Sequence, residues 1–417
     1  MTADVSISDR VPSARPADAS RRRLAIGFLN WAHALDHFVI LIYPTVVIEL
    51  ELAYGRSYSD LIALSTASFV AFGLFSLPAG WLADRWSRRN MMAAFFVGCG
   101  LSLVGAAVAP SPWMLAAALF ALGVFAAIYH PVGTAMIVES ATQRGRSLAF
   151  NGVCGNLGVS LAAGITAVLT AALSWRGAFL VPGLICIATG VVYVWLVPGE
   201  ERHAAARSTA PEVTLPTAVA VTIFGLFVVV ALSAGLVFNT LSVALPKIVD
   251  QRIGADIPLV MVGGLSTAVF LCGGLAQIAV GRLVERIRPH VLFAAIAVMQ
   301  FIGVAWAAHA SGVMLLIALA CTMAAIYGQI TVNDLVIARY TADAWRGRVY
   351  AVRYFLTFMV SGAAVSMIAV LYSHGGFDLI LASTAAVAFA FVVAVLLIAL
   401  IANGVEKART PQPAPAE

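Results

Sequence analysis

Apolar runs of bilayer length follow one another through this chain, and they decide most of what it can fold into. The sequence is 61% hydrophobic and 11% charged over 417 residues. No soluble domain of this size needs so much apolar surface, whereas a membrane-embedded chain has lipid to solvate its outside and protein to fill its inside. A spanning helix takes about 20 apolar residues. About twelve such runs are present, near 24–50, 59–83, 91–109, 113–139, 147–173, 177–197, 217–248, 258–280, 291–309, 313–340, 349–372 and 377–403. The expected fold is all-α and integral to a membrane, with lipid as its surroundings.

The turns between runs show a duplication. Gly80-Trp-Leu-Ala-Asp-Arg-Trp-Ser-Arg-Arg89 follows one apolar run, and Gly281-Arg-Leu-Val-Glu-Arg-Ile-Arg288 follows another half a chain later. Pro44 near the end of the first run matches Pro246 in the seventh, and each is expected to end its helix. Arg144-Gly145-Arg146 before the fifth run matches Arg346-Gly347-Arg348 before the eleventh. The offset is about 202 residues throughout, the internal repeat expected of transporters. The partner run at 217–248 also argues that the first run is retained as a helix, and that Ser20-Arg21-Arg22-Arg23-Leu24 is its basic flank rather than an export signal. The domains then read as follows: a disordered segment at 1–20, a six-helix bundle at 21–198, a polar linker at 199–216, a second bundle at 217–405, and a disordered Pro/Ala-rich tail at 406–417.

The formal charge of +5 carries no nucleic-acid signature, because the basic residues sit in short turns rather than on one face of a soluble domain. With a cytoplasmic N-terminus, about 21 of the 25 Lys and Arg fall on the inside, leaving Arg56, Arg176, Lys247 and Arg252 outside. The positive-inside rule places both termini in the cytoplasm. The five cysteines all lie within apolar runs, so neither a disulfide framework nor a metal motif is expected from their spacing.

Charged groups within a bilayer are costly and mark function or a partner. His33, Asp36 and His37 cover about 100° of one helix face. Asp36 lies roughly 18 Å from the cytoplasmic end of its run, and His130 in the fourth run lies roughly 15 Å from its own. The two thus share a depth, and an Asp–His pair there can hold and release a proton near neutral pH. Pro131 loosens the helix beside His130. In the second half, a salt bridge between Asp334 and Arg353 would either close an inner gate or cap helix ends. Tyr43, Tyr129, Asn156, Asn239, Gln277, Gln300, Tyr327, Gln329 and Asn333 are candidates for the cavity lining, although interhelical hydrogen bonding would account for each polar one equally well.

The Gly80–Arg89 turn resembles the Gly-x-Leu-Ala-Asp-Arg-x-Gly-Arg-Arg turn of the major facilitator superfamily, with Ser87 in place of the second glycine. Ser174-Trp175-Arg176-Gly177-Ala178-Phe179 is similar to that superfamily's approach to the sixth helix. The resemblance runs from residue 21 to about 405 and implies twelve helices in two pseudo-symmetric six-helix bundles around a central cavity. It also implies that Asp84 meets the N-terminus of the eleventh helix and steadies the outward-open state, with Gly80, Arg85, Arg88 and Arg89 in the same gating turn. A narrower resemblance, to the fosmidomycin-resistance-like exporters, rests on His33 to Phe38, Tyr129-His130-Pro131 and Gly155-Asn156-Leu157-Gly158. Two drug-antiporter features are replaced: Leu119 stands where those helices carry an arginine, and Ala162-Ala163 stands for a Gly-Pro pair.

The resulting expectation is a secondary transporter of the bacterial inner membrane that exports a small organic compound in exchange for protons. The alternative is a proton symporter importing an organic acid or other nutrient, and a non-transporting sensor is a third class. No P-loop, nucleophile motif or metal spacing occurs, so no enzyme, ATP-driven pump, metal centre or catalytic residue is expected. The proton gradient stands in for a cofactor, protons and the small molecule are the partners, nucleic acid is not one, and a monomer is expected.

Overall fold

The computed structural model describes residues 16–141, 143–198, 217–254, 257–340 and 343–409, with the side chains of 16–19, 217–220, 334, 338–351, 354 and 405–409 excepted. Every regular element among the described residues is a helix. Helices long and apolar enough to cross a bilayer run over Ser20–Tyr54, Arg88–Ala107, Pro112–Ser140, Arg144–Leu196, Val221–Arg252, Leu259–Leu283, Pro289–His309, Gly312–Ile337 and Phe355–Gly404. Tyr58–Leu74 and Ser76–Arg85 together make one more, bent by 41°.

Two of these are hairpins. The 53-residue Arg144–Leu196 helix breaks at Ser174, and the 67-residue Asp343–Arg409 helix breaks at Gly375 and Gly376. Divided there, the described residues hold twelve spans, named below as the first to the twelfth. The two breaks lie 202 residues apart, in the register of the repeat, and share a backbone conformation: φ 71°, ψ 170° at Ser174 and φ 58°, ψ −152° at Gly376. Only glycine adopts that region freely, and another residue there costs on the order of 1–3 kcal/mol. Ser174→Gly is therefore expected to stabilise the fold by about 1 kcal/mol. The check is a raised midpoint of thermal unfolding in detergent; a lowered midpoint would mean that the serine side chain contributes more than its backbone costs.

Proline sets the other breaks. A proline cannot bond the carbonyl four residues back and crowds it. The first span breaks at Leu41, next to the Ile40 carbonyl that faces Pro44; the second breaks at Phe75, after the Leu74 that faces Pro78; the fourth breaks at Ala127 and Ile128, below Pro131. Pro44 thus kinks its helix instead of ending it, and Pro246 lies inside the unbroken Thr217–Arg252 helix. The expectation that both prolines end helices is corrected: a spanning helix continues because its other carbonyls have no competing partner in lipid. The first helix starts at Pro16, inside the segment expected to be disordered, where a proline suits a first turn. Residues 1–15, the 199–216 linker and the tail from 410 lie outside the described residues.

The halves meet along two glycine-lined seams. In one, Gly73 of the second span lies against the backbone of Phe358 in the eleventh, Gly362 lies against Val70, and the Ser361 hydroxyl donates to the Phe69 carbonyl at 3.1 Å. In the other, Gly263 of the eighth span lies against Ala163 and Ala167 of the fifth, and the Gly164 amide donates to the Thr267 hydroxyl at 3.0 Å. Small residues let these backbones approach closely without a hydrophobic drive between helices.

One end of the molecule, remote from the Gly80 turn, is tied shut between halves. Lys247 of the seventh span bridges to Glu51 of the first and, at 2.7 Å, to Asp250. Tyr58 packs edge-on to Tyr372 at 4.8 Å, and the Ser59 hydroxyl donates to the Ala369 carbonyl at 2.7 Å. Lys247, one of the four cations that charge counting leaves on the outside, is buried here. At the opposite end the basic turn folds back on its own half. Arg88 bridges Asp84 at 2.8 Å and also Glu139, Arg89 donates to the Val197 carbonyl at 2.8 Å, and Arg85 stacks on Trp81 at 4.0 Å.

Candidate functional site

Four ionisable side chains meet inside the first half. Asp36 sits near the middle of the first span and its side chain is fully buried. His130 Nε2 lies 3.4 Å from Asp36 Oδ2. Neither carboxylate oxygen has a hydrogen-bond partner, and His130 Nε2 has none either. An unpartnered carboxylate in a low-dielectric interior is costly and holds its place only for a purpose. His33 and His37, one turn apart on the same helix, complete the cluster. The ring centroids of His33, His37 and His130 are separated by 5.0, 5.3 and 5.3 Å, a nearly equilateral triangle.

Local chain geometry explains the meeting. The kink at Leu41 follows directly after the His33–Phe38 turn, and the kink at Ala127–Ile128 directly precedes Tyr129-His130. His37 and His130 therefore lie within about a turn of a break, with Asp36 and His33 further along the same helix. Gly155 of the fifth span stands over the face of the His33 ring, where a Cβ would come 2.5 Å from Nε2, and Gly158 lies on the Ala34 carbonyl. Tyr129 stacks on the other side of His33 at 4.7 Å. Phe72 of the second span and Phe358 of the eleventh close over His130 at 6.0 and 4.7 Å, so the cluster faces the second half directly.

Asn151 organises this site and was not among the sequence candidates. Its carbonyl lies 2.7 Å from His33 Nδ1, and because a carbonyl can only accept, Nδ1 carries the proton. Its side-chain oxygen accepts from the Tyr129 hydroxyl at 3.0 Å, and its amide donates to the Leu29 carbonyl and to Asn30. A second amide in the apolar helix that carries Asn156, just ahead of Gly152 and Gly155, was the available signal.

The other candidates divide. Asn156 donates to Gln277, which reaches Thr331 at 3.5 Å, so a polar chain crosses from the fifth span to the eighth and tenth. Tyr43 donates to the Leu61 carbonyl at 2.5 Å, packed within the first half. Asn239 bonds its own helix at the Gly235 carbonyl. Tyr327 packs against Gly273 and Phe238. Gln300 and Gln329 are buried in the second half, and Asn333 lines a small crevice with Phe227 and Arg353. The expected Asp334–Arg353 bridge lies outside the described residues at the Asp334 side chain.

Comparison with known proteins decides the family. The Major Facilitator Superfamily profile matches residues 26–334, most of the chain. The chain belongs to the major facilitator superfamily. A gallate transporter of Pseudomonas putida is 28% identical over 44% of this chain and 41% of its own length. A puromycin resistance protein of Streptomyces alboniger is 37% identical over 29% of this chain and 25% of its own. The chain thus spans about two fifths of the length of the curated relatives it matches. Among solved structures, the inward-facing crystal structure of a bacterial homologue of the human lysosomal transporter Spinster aligns over 97% of this chain and 100% of its own, with a TM-score of 0.72 at 14% identity, which supports the fold alone.

In this superfamily member, the Gly80–Arg89 turn connects the second and third spans as its motif implies, with Gly80 close to Pro131. Asp84 bridges Arg88 at 2.8 Å. The start of the eleventh span, which the resemblance sets opposite Asp84, has side chains outside the described residues.

Proposed function

We propose that the chain is a secondary active transporter that moves a small organic compound by alternating access, with proton-coupled export as its mode. The observation that carries this reading is the buried Asp36 carboxylate with His130 Nε2 at 3.4 Å, on the side of the first bundle that meets the second. A proton held there changes the charge of a group packed against Phe358 of the opposite half, so loading is felt by the surfaces that must separate. The glycine seams are the natural rocking surfaces, with the Asn156–Gln277 hydrogen bond as a polar tie across the fifth–eighth seam. With the basic turns set in the cytoplasm of a bacterial inner membrane, the tied end is the outer one. Similarity to a puromycin resistance protein, and the His/Asp helix resembling fosmidomycin-resistance-like exporters, favour export.

Similarity to a gallate transporter favours a second reading, proton-driven uptake of an organic acid. Everted vesicles separate the two. Under an imposed proton gradient, an exporter accumulates puromycin or a related amphiphile and loses it on addition of a protonophore. An importer instead accumulates gallate-like acids in right-side-out vesicles. Accumulation of neither class in either orientation, with the protein shown to be inserted, would count against transport and for a sensor.

A further inference from the structure

We propose that His33, His37 and His130 form a binding site for a divalent transition-metal cation of the zinc or cobalt kind, with the Asp36 carboxylate beside His130. Sequence spacing gave no sign of it, because one ligand comes from the fourth span, almost a hundred residues after the other two. One ring nitrogen from each histidine lies within 4.8 Å of the others. A tetrahedral ion with metal–nitrogen distances of about 2.0–2.1 Å wants its ligands about 3.4 Å apart, so ring rotations of under about 1 Å would close the triangle. His33 and His37 are spaced i, i+4, the helical spacing that presents two imidazoles to one ion.

Three details favour a metal over three histidines that merely pack. First, the Asn151 carbonyl fixes the proton of His33 on Nδ1, which leaves Nε2 as the bare lone pair. A backbone carbonyl behind a ligating imidazole is the usual outer-shell support for a metal. Asn151 is itself anchored by Tyr129, Leu29 and Asn30, so the support is rigid. Second, Asp36 Oδ2 lies 3.4 Å from His130 Nε2, and neither carboxyl oxygen has a hydrogen-bond partner. Third, all three rings keep part of their surface exposed, while His130 Nε2 itself is covered and its ring must turn to admit an ion. Imidazole donors with one carboxylate suit zinc, cobalt or nickel rather than magnesium or calcium.

The inference rests on the transport reading only for its consequence: metal ligands must be deprotonated, so loading a metal releases any proton held there and the two compete for one place. Its test is separate. The full chain is purified in detergent with a non-histidine tag, stripped with chelator and titrated with Co2+. Visible d–d absorption of a low-coordinate site at one Co2+ per chain, displaced by Zn2+, is expected. His37→Ala and His130→Gln should each weaken binding by more than about tenfold, and Asn151→Ala, which keeps the backbone carbonyl on His33 and removes only its side-chain anchors, should weaken it less than either. His309→Gln and His374→Gln, remote from the cluster, should bind as wild type. A second readout is the thermal midpoint, raised by Zn2+ in wild type and unmoved by it in a cluster variant whose metal-free midpoint is unchanged. Binding well below one equivalent, or binding that survives His37→Ala combined with His130→Gln, overturns the proposal. Because no gradient is involved, such a failure leaves proton coupling to be judged by flux. Loss of protonophore sensitivity in vesicles would sink coupling and leave the metal site standing.

Discussion

Asp36→Asn is expected to reduce gradient-driven transport to the passive level while the protein remains folded and inserted. Asparagine fits the same space and still donates and accepts hydrogen bonds, but it cannot carry a proton. It should also relieve the burial of an unpartnered carboxylate, so its thermal stability should equal or exceed wild type. Downhill exchange of substrate should persist, since the rocking seams are untouched. His130→Gln should shift the pH profile of transport, because the group 3.4 Å from the carboxylate no longer changes charge. The double variant should be no worse than Asp36→Asn alone: two groups that share one proton act as a unit, and their effects do not add. Flux in proteoliposomes at several pH values measures all three. Uphill transport by Asp36→Asn at the wild-type rate would remove the carboxylate from the mechanism, and additive losses in the double variant would separate it from His130.

That pairing was legible because depth along a helix is linear in sequence. Counting 1.5 Å per residue brought Asp36 and His130 level. Rotation about the helix axis is not legible in that way, so the triangle of rings and the Asn151 support could not be read: both depend on how the first, fourth and fifth spans turn against one another. The repeat was readable where it sets backbone chemistry, and it reaches further than its motifs, to Ser174 and Gly376 in one backbone region that is strained only for the serine. Proline was misread as an end, because in water a broken helix frees polar groups to the solvent, whereas in lipid the chain has nowhere else to satisfy them. Gln300, a cavity candidate by polarity, is buried in the second half, since composition does not say which face of an apolar helix meets protein. Lys247 was placed outside by charge counting alone. Its partner Glu51 lies in the other half, beyond anything local patterning can show.

Lys247→Met is expected to unlatch the end that the structure holds closed. The ammonium is 8% exposed and faces two carboxylates that are 24% and 23% exposed. The Asp250 contact is internal to the seventh span and survives opening, whereas the Glu51 contact crosses between halves and exists only while that end is shut. Removing the cation takes away that attraction and leaves two carboxylates facing each other. Breaking a buried pair is worth about 3–5 kcal/mol and an exposed one under about 1. With partners a quarter exposed, a differential of ~1–2 kcal/mol is reasonable, which moves a two-state balance about 5- to 30-fold. Spin labels at Arg56→Cys and His374→Cys, one on each half beside this latch, would report it in a background lacking the five native cysteines. Wild type should show mainly the short distance and Lys247→Met a large long-distance population, with Lys247→Arg restoring the short one. Arg252→Met is the matched control: its bridge to Asp378 lies wholly within the second half, so its loss should leave the distance unchanged. Equal shifts in the two methionine variants would mean that charge loss loosens the end in general and that Lys247 is no latch.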